Sequence, residues 1–321
     1  MSTRQRPSPT RLPGGNVAFL VGRSARQAYL GSFRSGSSAA EAYMPELPEV
    51  ETVRRALELR IRGKRIVSTE VRHPHLRRTL DTNAISCVQG RSFEAFRRRG
   101  KYLILDLSGD VSLVVHLGMS GRLLLCSSAE VFDKHDHVRI TMHGGCELRF
   151  RDPRRFGSIA VWPTSEVMDR PPLAGLGIEP LAREFTPSRL EELVSGLRRP
   201  IKSLLMDQSR LAGIGNIYAN EILFEARLYP FVPAGLLQPR EIRKLHAAIV
   251  QTLRRAVERG GTTIRDYSDP LGQPGWFRLE LAVYQRAGEP CPRCGALIRL
   301  VRASGRSTYF CPSCQAPPNG G

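Results

Sequence analysis

The sequence contains no apolar run that approaches the ~20 residues needed to cross a membrane. Its apolar stretch at residues 16–22 is too short for a secretory signal, and no cleavage site follows it. Acidic residues are scarce, since 30 Asp and Glu face 48 Lys and Arg, which gives a net charge of +18. This excess is typical of proteins that bind a polyanion, above all nucleic acid, although composition leaves a general surface-charge effect open.

The sequence also lacks the cysteine pattern of a disulfide framework. The seven cysteines are Cys87, Cys126, Cys146, Cys291, Cys294, Cys311 and Cys314. The first three are scattered and the last four form two Cys-x2-Cys pairs, which fits a reducing compartment and a metal site. Each pair can direct two thiolates at one tetrahedral Zn²⁺, so we predict one structural zinc ion and no organic cofactor.

Residues 1–43 differ from the rest of the chain because they contain no Lys and a single acid, Glu41. They are rich in Ser, Gly, Pro and Arg, which is typical of a disordered tail, a transit-type segment or a misannotated start. Their six Arg and one Glu contribute five of the eighteen net charges, so the remainder keeps +13. The basic character therefore belongs to the body of the protein.

Beyond residue 43, hydrophobic patterning predicts an α+β chain with several domains. A helix is predicted over 46–59, followed by short strands with Gly turns, which favour an antiparallel β-sandwich. Those strands are predicted over 65–72, 92–96, 102–107, 112–117, 122–126, 137–142, 147–151 and 158–162. A segment rich in Pro and Gly at 163–180 is typical of a linker.

The second half of the chain is predicted to be mainly helical. Thr186 can cap a helix that begins at Pro187, and further helices are predicted over 201–207, 216–226 and 239–259. The last four cysteines bracket a hairpin whose turn contains Gly305, which would place Arg306 at the tip.

Pro45 has a special chemistry if it becomes the N-terminal residue. Removal of Met44 would leave a prolyl secondary amine with a pKa near ~8, and a helix directly behind it would lower that pKa further. Such an amine can attack a sugar C1′ and form an iminium intermediate. Glu46, the next residue, could act as the acid.

Several motifs occur in order from Met44 to Cys314: PELPEVETVRR, HLGMSGRL, KHDHV, DPRRFG, GIGNIYANE, GGTTIRDY and the terminal cysteine pairs. Together they resemble the formamidopyrimidine-DNA glycosylase family. The resemblance implies an enzyme that removes oxidised purines, such as 8-oxoguanine and formamidopyrimidines, and then cuts the strand by β,δ-elimination. It also implies damaged double-stranded DNA as the partner, and we expect a monomer that binds no membrane.

The same resemblance implies the domain organisation. We predict an extension over 1–43, a catalytic β-sandwich domain with flanking helices over 44–165 and a linker over 166–182. A helix-two-turn-helix DNA-binding domain with its lesion loop would follow over 183–275, then a zinc-ribbon finger over 276–316 and a tail over 317–321. Within the loop at 262–275, Asp269, Pro270 and Leu271 depart from the family pattern, so a fine lesion preference is not implied.

By motif position, Pro45 would be the Schiff-base nucleophile and Glu46 the proton donor, with Glu49 in support. Lys101 would act in β-elimination and Arg306 in δ-elimination. Met119, Arg154 and Phe156 would fill the space that a flipped base leaves, which suits a flexible thioether, a guanidinium and an aromatic ring. The remaining implied DNA contacts are His116, His135, Arg198, Lys202, Asn216 and Tyr218.

Two other functions remain open at this point. An endonuclease VIII-type relative would prefer oxidised pyrimidines, and Leu47 after Glu46 favours the purine branch. A non-catalytic zinc-ribbon DNA-binding protein is the other alternative, because Pro45 stays a tertiary amide if Met44 is never removed. We expect a cytoplasmic, nucleoid-associated protein, or an organellar one if residues 1–43 are a genuine transit segment.

Overall fold

A computed structural model of the protein describes residues 44–261, 281–303 and 305–318. The predictions for the extension at 1–43, for the loop at 262–275 and for the end of the tail fall outside these ranges. The first described element, helix α1, spans Leu47–Ile61. Pro48 stands in its first turn, where a missing N–H costs no hydrogen bond, and Val53 and Leu57 lie on its buried face.

Eight strands form two four-stranded antiparallel sheets, as the short strand-like segments with Gly turns predict. The strands are β1 (Ile66–Val71), β2 (Phe93–Arg99), β3 (Tyr102–Leu107), β4 (Val111–His116), β5 (Arg122–Ser127), β6 (Asp136–Met142), β7 (Cys146–Arg151) and β8 (Ser158–Pro163). The strand order is β1-β6-β7-β5 in one sheet and β2-β3-β4-β8 in the other. Phe93, Leu105 and Phe150 are among the buried side chains of the core.

A short helix, α2 (Thr82–Ser86), lies between the first two strands and was not predicted. Its N-terminus is capped by Asp81, whose carboxylate accepts the N–H groups of Asn83 and Ala84. The predicted linker contains two turns of 3₁₀-helix, Thr164–Glu166 and Leu173–Gly175.

The helical half of the chain contains α3 (Pro187–Val194), α4 (Ile201–Leu205), α5 (Asn216–Ala226) and α6 (Pro239–Glu258). Thr186 caps α3 as predicted, because its hydroxyl accepts the N–H of Arg189 at 3.2 Å. Nearly every residue of α5 is buried, so this helix is the centre of the helical half.

The C-terminal hairpin pairs β9 (Arg299–Ala303) with β10 (Arg306–Phe310). Gly305 adopts a positive φ of 72° between them, which favours glycine at this turn. One continuous hydrophobic cluster contains buried residues of the sandwich, the helices and the hairpin, for example Leu47, Tyr218 and Tyr309. The α+β prediction is confirmed, and no helix in the described ranges is long and apolar enough to cross a membrane.

Candidate active site

The Glu46 carboxylate lies at the N-terminus of α5. It accepts the backbone N–H groups of Gly215 at 2.6 Å, Ile217 at 2.9 Å and Tyr218 at 3.4 Å. The first amides of a helix have no intrahelical partner and form the positive end of its dipole, so a carboxylate is a favourable acceptor there. Since Glu46 directly precedes α1, this contact fixes the start of α1 against the start of α5.

Glu49 supports this arrangement one turn into α1. Its carboxylate accepts the backbone N–H of Glu46 at 2.9 Å and the hydroxyl of Tyr218 at 2.7 Å. Both Glu49 and Tyr218 are completely buried. The prediction that Tyr218 contacts DNA is therefore corrected, because its hydroxyl holds an active-site carboxylate below the protein surface.

Lys101 approaches Glu46 from the turn between β2 and β3 and is only 8% exposed. Gly215 lies under both side chains. A Cβ at residue 215 would lie 2.4 Å from the Glu46 carboxyl carbon and 2.6 Å from the Lys101 Nζ. Pro45 is buried beside Glu46, so the structure brings together the residues for which catalytic roles were predicted in the N-terminal half.

Burial is the main influence on the charges of this site. It raises the pKa of Glu46 to about 7, assisted by Glu49 and opposed by Lys101 and the α5 amides. Burial also lowers the pKa of Lys101, and Arg306 adds to this effect while Glu46 and Glu49 oppose it. A carboxyl group with a pKa near neutrality can donate a proton, and a lysine with a lowered pKa is a better base.

His116 at the end of β4 is held as a neutral hydrogen-bond donor. Its Nδ1 accepts the N–H of Gly118 at 3.0 Å, which leaves the proton on Nε2. Burial, Lys101 and Arg77 lower the pKa of His116 to about 4. His116 can therefore offer one N–H to a phosphate without carrying a charge.

A cavity of about 460 Å³ opens beside His116 and has a basic wall. Its lining includes Arg77, Arg78 and Arg170, together with Tyr102. Arg77 and Arg78 are exposed, and neither was predicted to be a site residue. The sequence shows only that these two residues belong to a basic stretch between β1 and α2. Such a stretch is more often a solvated surface than a binding site.

The three residues predicted to replace a flipped base lie on two neighbouring turns. Met119 is half-buried, whereas Arg154 and Phe156 are exposed, and the Phe156 side chain keeps 41% of its accessible surface. The Arg154 guanidinium carbon lies 4.8 Å from the Phe156 ring centroid. We name these three residues the wedge. Large aromatic side chains are usually buried. The exposure of Phe156 on a turn therefore fits a role in binding.

Lys202 does not have the position that was predicted for it. It is 5% exposed, and its Nζ donates to the Ser307 carbonyl at 2.8 Å and to the Thr308 hydroxyl at 2.9 Å. The prediction that Lys202 contacts DNA is corrected, because the ammonium is committed to the C-terminal hairpin. Both acceptors follow Arg306 directly in β10.

Other predicted contacts have mixed surroundings. Asn216 begins α5 and is half-buried, and its Oδ1 has no hydrogen-bond partner in the described part of the chain. The amides of Gly215 and Ile217 on either side of it donate to Glu46 and are therefore not available to an outside anion. Arg198 is exposed and His135 is half-buried. Arg306 is exposed at the start of β10, and its charge acts on Lys101.

The four clustered cysteines have the geometry of a zinc site. The Sγ atoms of Cys291, Cys294, Cys311 and Cys314 all lie within 4.8 Å of one another. The Cys291–Cys314 and Cys294–Cys311 sulfur atoms are 3.9 and 3.5 Å apart. Tetrahedral Zn–S bonds of about 2.3 Å place the sulfur atoms roughly 3.8 Å apart. The set therefore fits a structural zinc ion with no open position.

Three family models match the chain in order. They are the formamidopyrimidine-DNA glycosylase N-terminal domain over residues 44–159, the formamidopyrimidine-DNA glycosylase H2TH domain over 176–268, and the zinc finger found in FPG and IleRS over 288–317. The formamidopyrimidine-DNA glycosylase of Methylococcus capsulatus is 45% identical over 272 residues, which cover 85% of this chain and 100% of that protein. That of Symbiobacterium thermophilum is 47% identical, with 86% and 91% covered.

Solved structures give the same result. A Lactococcus lactis FPG mutant in complex with Fapy-dG containing DNA has a TM-score of 0.81 at 36% identity, with 85% of this chain and 100% of that chain covered. A complex between Lactococcus lactis Fpg and abasic-site DNA has a TM-score of 0.80 at 37% identity and the same coverage. The MutM (FPG) protein of Thermus thermophilus has a TM-score of 0.77 at 40% identity, again with 85% and 100% covered.

Removal of zinc should release the hairpin from α4 and α5. Without the metal, four thiolates lose their common ligand and a short segment lacks a core of its own, so residues 307–310 should lose protection against amide hydrogen exchange. Strands β3 and β4 should keep their protection. The matched variants are Cys294→Ser, which should bind little zinc, and Cys87→Ser, which should retain one zinc ion per chain. Full protection of 307–310 in metal-free protein would contradict the zinc assignment.

Proposed function

The chain belongs to the formamidopyrimidine-DNA glycosylase family, and on that basis we propose that it excises oxidised purines, including 8-oxoguanine and formamidopyrimidines, from damaged duplex DNA. Family membership makes it a DNA glycosylase of base-excision repair with AP lyase activity. The observation that carries the proposal is the buried Glu46 carboxyl group, held beside Pro45 and close to Lys101.

The chemistry begins at the nitrogen of Pro45 once Met44 is gone. Its lone pair forms a bond to C1′ of the damaged nucleotide while the glycosidic bond breaks, and Glu46 supplies the proton to the departing base. The C1′–O4′ bond of the sugar then breaks as the proton on the amine passes to O4′, and this ring opening gives the iminium. The iminium acidifies C2′, so loss of a C2′ proton breaks the C3′–O3′ bond. A second elimination then breaks the C5′–O5′ bond. Lys101 serves the first elimination and Arg306 the second.

Two features favour purine lesions and processing at Met44. The Lactococcus lactis FPG mutant that this structure resembles is in complex with Fapy-dG containing DNA. The match to the N-terminal domain model begins at residue 44. We infer that the active protein begins at Pro45 and that it works in the bacterial cytoplasm at the nucleoid. Excision of thymine glycol far faster than 8-oxoguanine paired with cytosine would instead identify an endonuclease VIII-type enzyme.

In this proposal the DNA lies against the exposed wedge and the basic wall beside His116. His116, His135, Arg198 and Asn216 contact phosphates of the strand, and the wedge enters the space that the flipped base leaves. Such a wedge must offset the few kcal/mol that unstacking costs. The zinc ion holds the hairpin of β9 and β10, which carries Arg306, and takes no part in the chemistry.

Borohydride trapping on DNA with an 8-oxoguanine tests the nucleophile. A chain that begins at Pro45 should form a covalent adduct, because its secondary amine forms a reducible iminium. The full 321-residue chain with Met44 retained should form none. An adduct of equal yield with the full chain would show that another amine, such as that of Lys101, is the nucleophile.

The pH dependence of two steps tests Glu46. Both excision and cleavage at a preformed abasic site need the free amine of Pro45, but only excision needs the proton of Glu46. With its pKa raised to about 7, Glu46 loses this proton as the pH rises through that value. The ratio of excision rate to lyase rate should fall roughly 16-fold over the 1.5 pH units above 7. A ratio that does not change with pH would exclude Glu46 as the donor.

We further propose that Lys202 positions Arg306 for the second elimination. Lys202→Met should lower the fraction of β,δ-product on abasic-site DNA severalfold and leave the salt dependence of DNA binding unchanged. The matched variant Arg198→Ala should keep the product ratio and reduce the salt slope by about one, because it removes a phosphate contact. A reduced salt slope with an unchanged product ratio for Lys202→Met would restore the DNA-contact interpretation.

A further inference from the structure

A single buried carboxylate connects the two turns that carry the wedge. Asp152, directly after β7, is completely buried. Its Oδ1 accepts the hydroxyl of Ser120 at 2.5 Å, and its Oδ2 accepts the backbone N–H of Gly157 at 2.7 Å. Ser120 follows Met119 and Gly157 follows Phe156, so each carboxylate oxygen holds the neighbour of a wedge residue.

The Ser120 hydroxyl also connects the turns in the other direction. While it donates to Asp152, its oxygen accepts the backbone N–H of Arg154 at 3.1 Å. The turn of Arg154 and Phe156 is therefore fixed at both ends, to Ser120 on one side and to Asp152 on the other. Hydrogen bonds to a buried carboxylate are stronger than neutral ones and are strongly directional.

The backbone of Asp152 extends the connection to a further predicted DNA contact, His135. Its N–H donates to the carbonyl of His135 at 3.0 Å, and its carbonyl accepts from His137 Nε2 at 2.7 Å. His137 is completely buried. The segment that carries His135 is thereby held to the same residue as the wedge.

Two of the three wedge side chains, Arg154 and Phe156, are exposed on the protein surface. The Phe156 ring is 41% exposed and contacts the Arg154 guanidinium, which is itself exposed. The two turns do touch, since a Cβ at Gly118 would lie 2.4 Å from the Phe156 carbonyl carbon. Close packing of this kind limits the distance between the turns, whereas the directional bonds of Asp152 and Ser120 set their register.

We propose that Asp152 and Ser120 are positioning residues that hold Met119, Arg154 and Phe156 as one preorganised wedge. The inference rests on the proposed function, because it concerns how the wedge enters duplex DNA. A wedge that is already assembled in the free protein loses little conformational entropy when the base is extruded. More of the binding free energy is then available to unstack the base. An abasic site in single-stranded DNA has no partner base to separate, and its cleavage does not need the wedge.

The test compares two single-turnover rates in the chain that begins at Pro45: 8-oxoguanine excision from duplex DNA and lyase cleavage at an abasic site in single-stranded DNA. Ser120→Ala removes the bridging hydroxyl and should lower duplex excision roughly tenfold, while the lyase rate changes less than about twofold. Ser120→Thr keeps a hydroxyl and should restore most of the excision rate. Asp152→Asn should lower excision at least as much as Ser120→Ala. The Asn side chain has a single acceptor oxygen, and its NH₂ group cannot accept the second hydrogen bond.

The matched control is another serine–aspartate hydrogen bond in the same sandwich. Ser112 donates to Asp106 at 2.6 Å and is completely buried, but it lies away from the wedge. Ser112→Ala should cost comparable thermal stability and leave the ratio of the two rates unchanged. The inference is overturned if Ser120→Ala leaves excision intact, or if it lowers both rates equally. Absence of lyase activity in the parent chain would instead overturn the proposed function.

Discussion

The contact between the Glu46 carboxylate and the first amides of α5 is the interaction on which the rest of the site depends. A buried carboxylate needs hydrogen-bond donors, and the first amides of a buried helix need an acceptor, so each satisfies the other. The contact joins the start of α1 to the centre of the helical half. Pro45 takes its place from it, because it is bonded to Glu46, and Lys101 packs against the same carboxylate.

Most of the fold could be predicted from the sequence because its signals are local. The strand over Tyr102–Leu107 is a short, mostly apolar run that ends at turns, and Thr186 with Pro187 marks the start of α3. Helix α2 was missed because Thr82–Ser86 is too short to show a helical period. The cysteine spacing predicted the metal cluster because four sulfur ligands at such short separations leave few other geometries.

The site was predicted less evenly, because a motif identifies a residue but not the partner of its polar atoms. Lys202 and Tyr218 carry groups that suit DNA, yet both are buried and bonded within the protein. Asp152 shows the reverse. It lies in the same motif as Arg154 and Phe156, from which only those two residues were predicted to contact DNA. The role of Asp152 follows from its hydrogen bond to Ser120, which is distant in sequence. Such contacts depend on tertiary packing, which no local pattern records.

Gly215 is constrained by the side chains that surround it. Its φ of −126° is open to any residue, so the backbone does not require glycine. The requirement is space, because one added methyl group would overlap both the Glu46 carboxyl carbon and the Lys101 Nζ. Both atoms are the ends of flexible side chains, so a side chain at residue 215 would displace one of the two groups from its present place. Selection on the reaction therefore acts on a residue with no reactive group, through the space that it leaves for the two side chains beside it.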